Sequence, residues 1–495
     1  MEKLQIGSDD MPTAEDLLAG CKSLLAELDE YRSFLLEGKG QHTVELRQFR
    51  NSLVAELKSL EKLSKEDQSS ERTRHTLRSS NLPFYTAVWD TAKSSRGIVA
   101  FNKRFHWTDT GSPPDSRLTL GERRKLRSKK KPKGSAMVDI VADNGGEWIK
   151  VSTVTEKKIV FEMAKRGWEG ESSEEDQDDE VDGDGWGHHN GREEGEEDDG
   201  LSLVRLAEDL SHAASKERVR YRHPQIRLVL PKIESGRISQ IDDLIQNIQA
   251  MGVTVQCSSD ISTPEPLDVA KSWMLVDEYA HFSSVLNIDC TILLALVSDL
   301  SHDSISLQRW FHVAIQRQIE RESGERLLPT CLWPAMGARK LVCTSEAARR
   351  MREISETIGT EAERRRTALL MGDERGKGPE ELVNEFNQLS KHEVPHDWKL
   401  PIEVVAADDV KLESLPKMAS VVADGLYGIN RSVFLYGWAS GRTTISSNRT
   451  VARMIEKVIE DNRSTEDEVG PDVWLCPMAR SLVGKEKGRR KTGGD

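Results

Sequence analysis

Between Val285 and Cys476 short apolar runs of strand length alternate with amphipathic runs of helix length, and this alternation constrains the fold more than any other feature. VLNI (285–288) reads as a strand and TILLALVSDL (291–300) as a helix. KLVC (340–343) is a second strand, followed by a helix over 345–359 with Ser345 as N-cap and Gly359 as terminator. Beyond it, 417–429 reads as a helix, SVFLYG (432–437) as a strand, 448–460 as a helix and VWLC (473–476) as a last strand. Strands joined by helices imply crossover connections and a parallel sheet. The expected architecture is a doubly wound parallel sheet, whose ligands collect at the carboxyl ends of the strands.

The first half has a different rhythm. TAED (13–16) offers a capping-box start, with Leu17, Leu18, Cys21, Leu24, Leu25 and Leu28 following at helical spacing. A second stripe, Leu46, Phe49, Leu53, Leu57 and Leu60, comes after GKG (38–40), so two antiparallel helices are expected. Residues 137–154 place β-branched runs on either side of Asp143-Asn144-Gly145-Gly146, the signature of a β-hairpin. Residues 203–214 read as helix, and 226–231, 239–252 and 253–257 as strand, helix and strand, a βαβ unit with Gly252 ending its helix. No glycine-rich phosphate loop accompanies that unit, so nucleotide binding is not indicated. An α/β chain is therefore expected, with a helical and α/β N-terminal domain over 1–275 and a wound-sheet domain over 283–486.

Charge divides the chain further. Residues 169–199 carry sixteen Asp or Glu, a block that repels itself and has almost no apolar surface to bury, so an acidic disordered insertion is expected at about 168–200. ERRKLRSKKKPK (122–133) holds eight Lys or Arg inside a basic insertion at about 109–134, and 487–495 form a basic tail. Either basic run suits a nucleic-acid or import patch, or a solvated loop. The net charge of −13 thus conceals segments of both signs. Six cysteines without a C-x-x-C pair suggest neither a zinc site nor a disulfide framework. The longest clean apolar run, Ile292 to Val297, is far short of the ~20 residues of a membrane span, so a soluble protein of the cytoplasm, the nucleus or both is expected, with no membrane partner.

Two sets of side chains suggest chemistry. Asp139, Glu147 and Lys150 match in type the carboxylate–carboxylate–lysine set of restriction-type nucleases, but Glu147 and Lys150 are three apart and point to opposite faces of a strand, which favours a structural hairpin. Asp289 stands where the first C-terminal strand gives way to its helix, and Glu346 holds the corresponding place after KLVC. Two carboxylates from separate strand ends suit a hard cation such as Mg²⁺; equally, each suits the first turn of a helix as a cap.

The stretches VDIVADNGGEWIKV, VLNIDCTILLALVSDLS, VCTSEAARRMREI and VFLYGWASGRTTISSN, with WLCPMARSLVGKEK, resemble the ordered landmarks of an uncharacterised eukaryotic family. It is defined by a C-terminal domain of unknown function, and its vertebrate member is known as a chromosome-seven open reading frame. The resemblance implies a PIN-like C-terminal domain, a fold whose active members are Mg²⁺- or Mn²⁺-dependent ribonucleases. It places Asp289 as the first acid of the site and Thr291 at the hydroxyl position after it. Metal ligands Asp289 and Glu346 follow, with Asp408 or Asp409 completing the catalytic shell and Ser446 and Asn448 lining the site. Where further acids belong, this chain has Ala439-Ser440-Gly441 and Ser446-Ser447-Asn448. The expectation is a degenerate nuclease-fold module that binds RNA or protein; the alternative is an active metal-dependent endoribonuclease.

Overall fold

The computed structural model describes residues 13–37, 44–66, 70–107, 134–165, 201–374, 376–406 and 415–484. Nearly all of the basic insertion, the whole of the acidic one, the basic tail and the pair Asp408 and Asp409 lie outside them. The protein is a mixed α/β chain with two units, Met1–Glu278 and Tyr279–Asp495, each built on its own sheet.

The N-terminal sheet runs in the order β1 (Ala100–Trp107), β2 (Gly134–Ala142), β3 (Glu147–Val151), β4 (Gln225–Leu230) and β5 (Val253–Cys257). The first three strands form an antiparallel meander, and β4 and β5 extend it in parallel. The expected hairpin is β2–β3: Asp143, Asn144 and Gly145 all take positive φ (48°, 54° and 100°), the backbone that the Asp-Asn-Gly tract tolerates. Alternation along the strands serves two cores. Ile149, Val151 and Val229 pack with helices Ala14–Glu37, Arg47–Leu63, Leu82–Lys93 and Leu267–Met274 on one face. Val138, Trp148, Leu228 and Leu230 pack with helices Ser202–Ala214 and Ser239–Ala250 on the other. Helices on both faces bury both sides of the sheet, which accounts for the nearly unbroken apolar run of β4.

In the C-terminal unit five strands are all parallel: β6 (Val285–Ile288), β7 (Lys340–Thr344), β8 (Glu403–Val405), β9 (Thr444–Ser446) and β10 (Val473–Leu475). Their order is β10-β9-β6-β7-β8, so the chain winds outward from β6 to β8, then returns to the other side of β6 for β9 and β10. The winding reverses between β6 and β9, and a crevice at the carboxyl ends of such a pair is where open α/β sheets bind ligands. The helix after β6, Cys290–Val297, is apolar all round and correspondingly buried.

One expected strand is corrected. SVFLYG (432–437) lies inside the helix Gly428–Ala439, and the strand is the next segment, Thr444–Ser446. So short a run, apolar only at Val433 to Tyr436, fits either structure, and here length decides: twelve helical residues bury Val433, Phe434 and Leu435. Gly437 lets this helix close on the sheet, since a Cβ there would collide with Thr444 Oγ1. Strand β8, with its three half-exposed or exposed residues, had no apolar signature to find.

Candidate functional site at the switch between β6 and β9

Asp289 follows the last residue of β6. Its amide donates to Ile445 O on β9 at 3.0 Å, and its carbonyl accepts from Ile292 and Leu293 at 2.9 and 3.0 Å, so the backbone alone starts the helix. Capping of those amides by its side chain, one of the two expected roles, is therefore corrected: the side chain makes no such bond. The carboxylate instead turns across the switch point, where Oδ2 accepts from Thr291 Oγ1 at 2.7 Å and from Ser446 Oγ at 2.6 Å. Ser446 Oγ accepts in turn from the Asn448 amide at 3.0 Å, and Thr291 Oγ1 from the Ser447 amide at 3.2 Å. Hydroxyls and amides thus stitch the end of β6 to the end of β9 around one carboxylate.

That carboxylate is 2% exposed. Burial pushes its pKa up from the ordinary value, against the hydroxyls of Ser446 and Thr291 and the amides of Cys290 and Thr291, which favour the charged form. Burial also pushes the neighbouring Cys290 thiol up to about 12, so it is no nucleophile at neutral pH.

The other expected site residues divide. Asn448 reaches the network through its backbone only; its side-chain Oδ1 caps the helix Arg449–Asn462 by accepting from Val451 at 3.3 Å. Glu346 stands in the first turn of Ser345–Ile358, half-buried, and accepts from Ser345 Oγ at 3.2 Å without a hydrogen bond to the Asp289 network. The cap of that helix is Thr344 rather than the expected Ser345: its Oγ1 accepts from Ala347 at 3.3 Å, because the strand runs one residue further than KLVC. Asp408 and Asp409 are outside the described residues. Among the described residues no three His, Cys, Asp or Glu side chains group as ligands for a metal ion.

The hairpin acids have structural partners. Lys150 Nζ donates to Asp139 Oδ1 at 2.9 Å, and the Val151 amide to Oδ2 at 2.8 Å. Glu147 takes both oxygens to Arg227, at 3.0 Å each. The two pairs separate Glu147 from Lys150, as their odd spacing on a strand requires.

Three polar groups escaped the sequence reading. Asn287, fully buried in the middle of β6, donates through Nδ2 to Val433 O at 2.9 Å and Thr444 Oγ1 at 3.0 Å. Thr344 Oγ1 meets Ser432 Oγ at 3.1 Å. Glu363, fully buried, accepts from the amides of Asp299 (3.0 Å), Thr360 (3.0 Å) and Val483 (2.9 Å), beside Arg366, which donates to Asp299 Oδ1 at 2.6 Å. Only the T-x-x-E spacing of Thr360 and Glu363 was a sequence signal, since it marks a capping box.

Residues 286–376 match the family model described as "Protein of unknown function (DUF1308)". The match takes in Asp289, Thr291, Glu346, Glu363 and Arg366, and ends before β9. The chain thus carries a domain of unknown function. No solved structure matches it.

Proposed function

We propose that the C-terminal unit is a PIN-like, doubly wound domain that has kept the position of a nuclease site and uses it for binding: it engages RNA or a protein partner without hydrolysing it. The carrying observation is the environment of Asp289. A cation-activated water needs several negative oxygens converging on an open position. Among the described residues the one acid at the switch point is buried and engaged by Thr291 and Ser446, and a neutral serine occupies the end of β9. The described residues around it do not fit a Mg²⁺ or Mn²⁺ ion. Glu346, the second expected ligand, is bonded to its own neighbour, Ser345. An active endoribonuclease would have to bring Asp408 or Asp409 to Asp289.

Calorimetry tests this reading. Mn²⁺ titrated into the full chain and into Asp289→Asn is expected to give the same weak heats. One-to-one binding by the wild type that Asp289→Asn abolishes would restore the metal centre and replace the binding module by the nuclease.

A further inference from the structure

We infer that the N-terminal unit carries a binding groove for the phosphate backbone of a nucleic acid, between the start of helix Arg47–Leu63 and the outer strand β1. This inference does not rest on the PIN-like reading of the C-terminal unit.

The groove has a structural origin. Glu45 pairs with the start of β1, its amide donating to Val99 O at 3.0 Å and its carbonyl accepting from Phe101 at 2.9 Å. The chain then enters the helix, so its pairing with β1 stops at the single bridge Glu45–Ala100. On β1, Asn102 takes a φ of +49°, which breaks the regular strand where the groove opens. The resulting cleft holds about 630 Å³. Arg47, Gln48 and Asn51 line it from the helix, and Asn102, Lys103 and Arg104 from the strand.

The chemistry is one-sided. Two cations, Arg47 and Arg104, stand with a single acid, Glu45, and among the described residues neither has an ion pair. Lys103 also borders the cleft, but its ammonium lies 5.4 Å over the Phe105 ring, which stacks on Trp148 of the core on the other face of the sheet. Some cations of the same unit are neutralised: Arg50, one turn along the same helix, by Asp29 at 2.6 Å, Lys93 by Glu27 at 3.3 Å, and Lys150 by Asp139 at 2.9 Å. The side-chain amides of Gln48, Asn51 and Asn102 also have no hydrogen bond among the described residues, which leaves donors and acceptors for sugar hydroxyls.

Unpaired cations with free amides fit a chain of phosphodiesters, the class of ligand whose binding rests on phosphate neutralisation. The one aromatic residue lining the groove, Phe101, is buried, so no ring is offered for base stacking and recognition stays with the backbone. Outside the groove the sequence after β1 leads to ERRKLRSKKKPK, charge of the same sign.

The test is fluorescence anisotropy of a short labelled single-stranded RNA with the full chain over a range of salt. Removing two phosphate contacts from a single strand should reduce the slope of log K against log [salt] by about 1.4 and the affinity at ~0.1 M salt by roughly 25-fold. This is expected for Arg47→Gln/Arg104→Gln, both at exposed positions. The single variants Arg47→Gln and Arg104→Gln should each lose roughly fivefold and keep the test valid if the double variant folds poorly. Arg349→Gln/Arg350→Gln, exposed cations of the C-terminal unit, should retain most of the affinity. The inference is overturned if wild type binds no RNA, if the groove variants bind as wild type does, or if the Arg349/Arg350 variant loses as much. It is equally overturned if a synthetic peptide of residues 169–199 binds the groove and RNA does not.

Discussion

A buried acid without a cation beside it burdens the fold that carries it. Asp289 must either hold a proton or pay for its charge with the four donors around it, and burial prevails, raising its pKa. The sign follows. Above the ordinary carboxyl range the folded state binds more protons at Asp289 than the unfolded chain does, so its contribution to stability falls as pH rises through the raised pKa. Asp289→Asn retains a carbonyl for Thr291 and Ser446 and removes the charge. It is expected to melt at or above the wild-type temperature at pH 7 to 8, with the difference shrinking toward pH 4; a melting point several degrees lower at neutral pH would contradict this. The six cysteines make a second statement at this scale. All are buried and none forms a disulfide, and burial pushes Cys21, Cys290 and Cys343 up to about 11, 12 and 12. A thiol reagent should find none of the six in the native protein and all six in denaturant.

At the scale of elements, the polar joints matter more than the apolar runs. Arg366 satisfies Asp299, Val297 O and Leu389 O from one buried guanidinium, and Glu363 beside it holds Val483 near the end of the described chain. Arg366→Met leaves the Asp299 carboxylate uncompensated and should cost ~3–5 kcal/mol in denaturant unfolding. A loss under ~1 kcal/mol would show that water reaches the joint. His302 gives the element containing it a pH dependence. Its Nε2–H donates to Leu296 O at 2.6 Å, while burial first, and Arg366 next, hold its pKa down at about 3 against the usual 6.5. Between those values the unfolded chain binds the extra proton, so this contribution is complete above pH 6.5 and is lost as pH falls toward 3, at no more than ~1.4 kcal/mol per pH unit. His302→Gln should flatten the acid limb of the stability curve; an unchanged limb would place the dependence elsewhere.

The same elements show where a sequence is readable. β6, β7, the βαβ unit and the hairpin were legible because their period, turn residues and caps agree. Asp289, Thr291 and Ser446 were legible as a group through resemblance, whereas composition left Asp289 open between cap and ligand. SVFLYG misled because so short an apolar run does not distinguish a buried helix from a strand, and only packing through Gly437 onto Thr444 settles it. β8 and the Asn287, Thr344 and Glu363 joints depend on partners more than fifty residues away, which no local pattern reports.

For the whole molecule, two sheets with separate cores make two units, and each has its own candidate surface: the Asp289 switch point in one, the Arg47–Arg104 groove in the other. From their composition, residues 169–199 with sixteen acids are expected not to offset an ordering cost of ~1–2 kcal/mol per residue. Deleting them should therefore leave the melting temperature within a few degrees of wild type, and a fall of many degrees would show that the segment packs. The most direct measurement concerns hydrolysis. Full-length wild type and Asp289→Asn, incubated with labelled RNA and Mn²⁺, are expected to leave it equally intact while RNA or a protein partner is still bound. Mn²⁺-dependent cleavage by the wild type that Asp289→Asn abolishes would contradict the account and make the C-terminal unit an active nuclease.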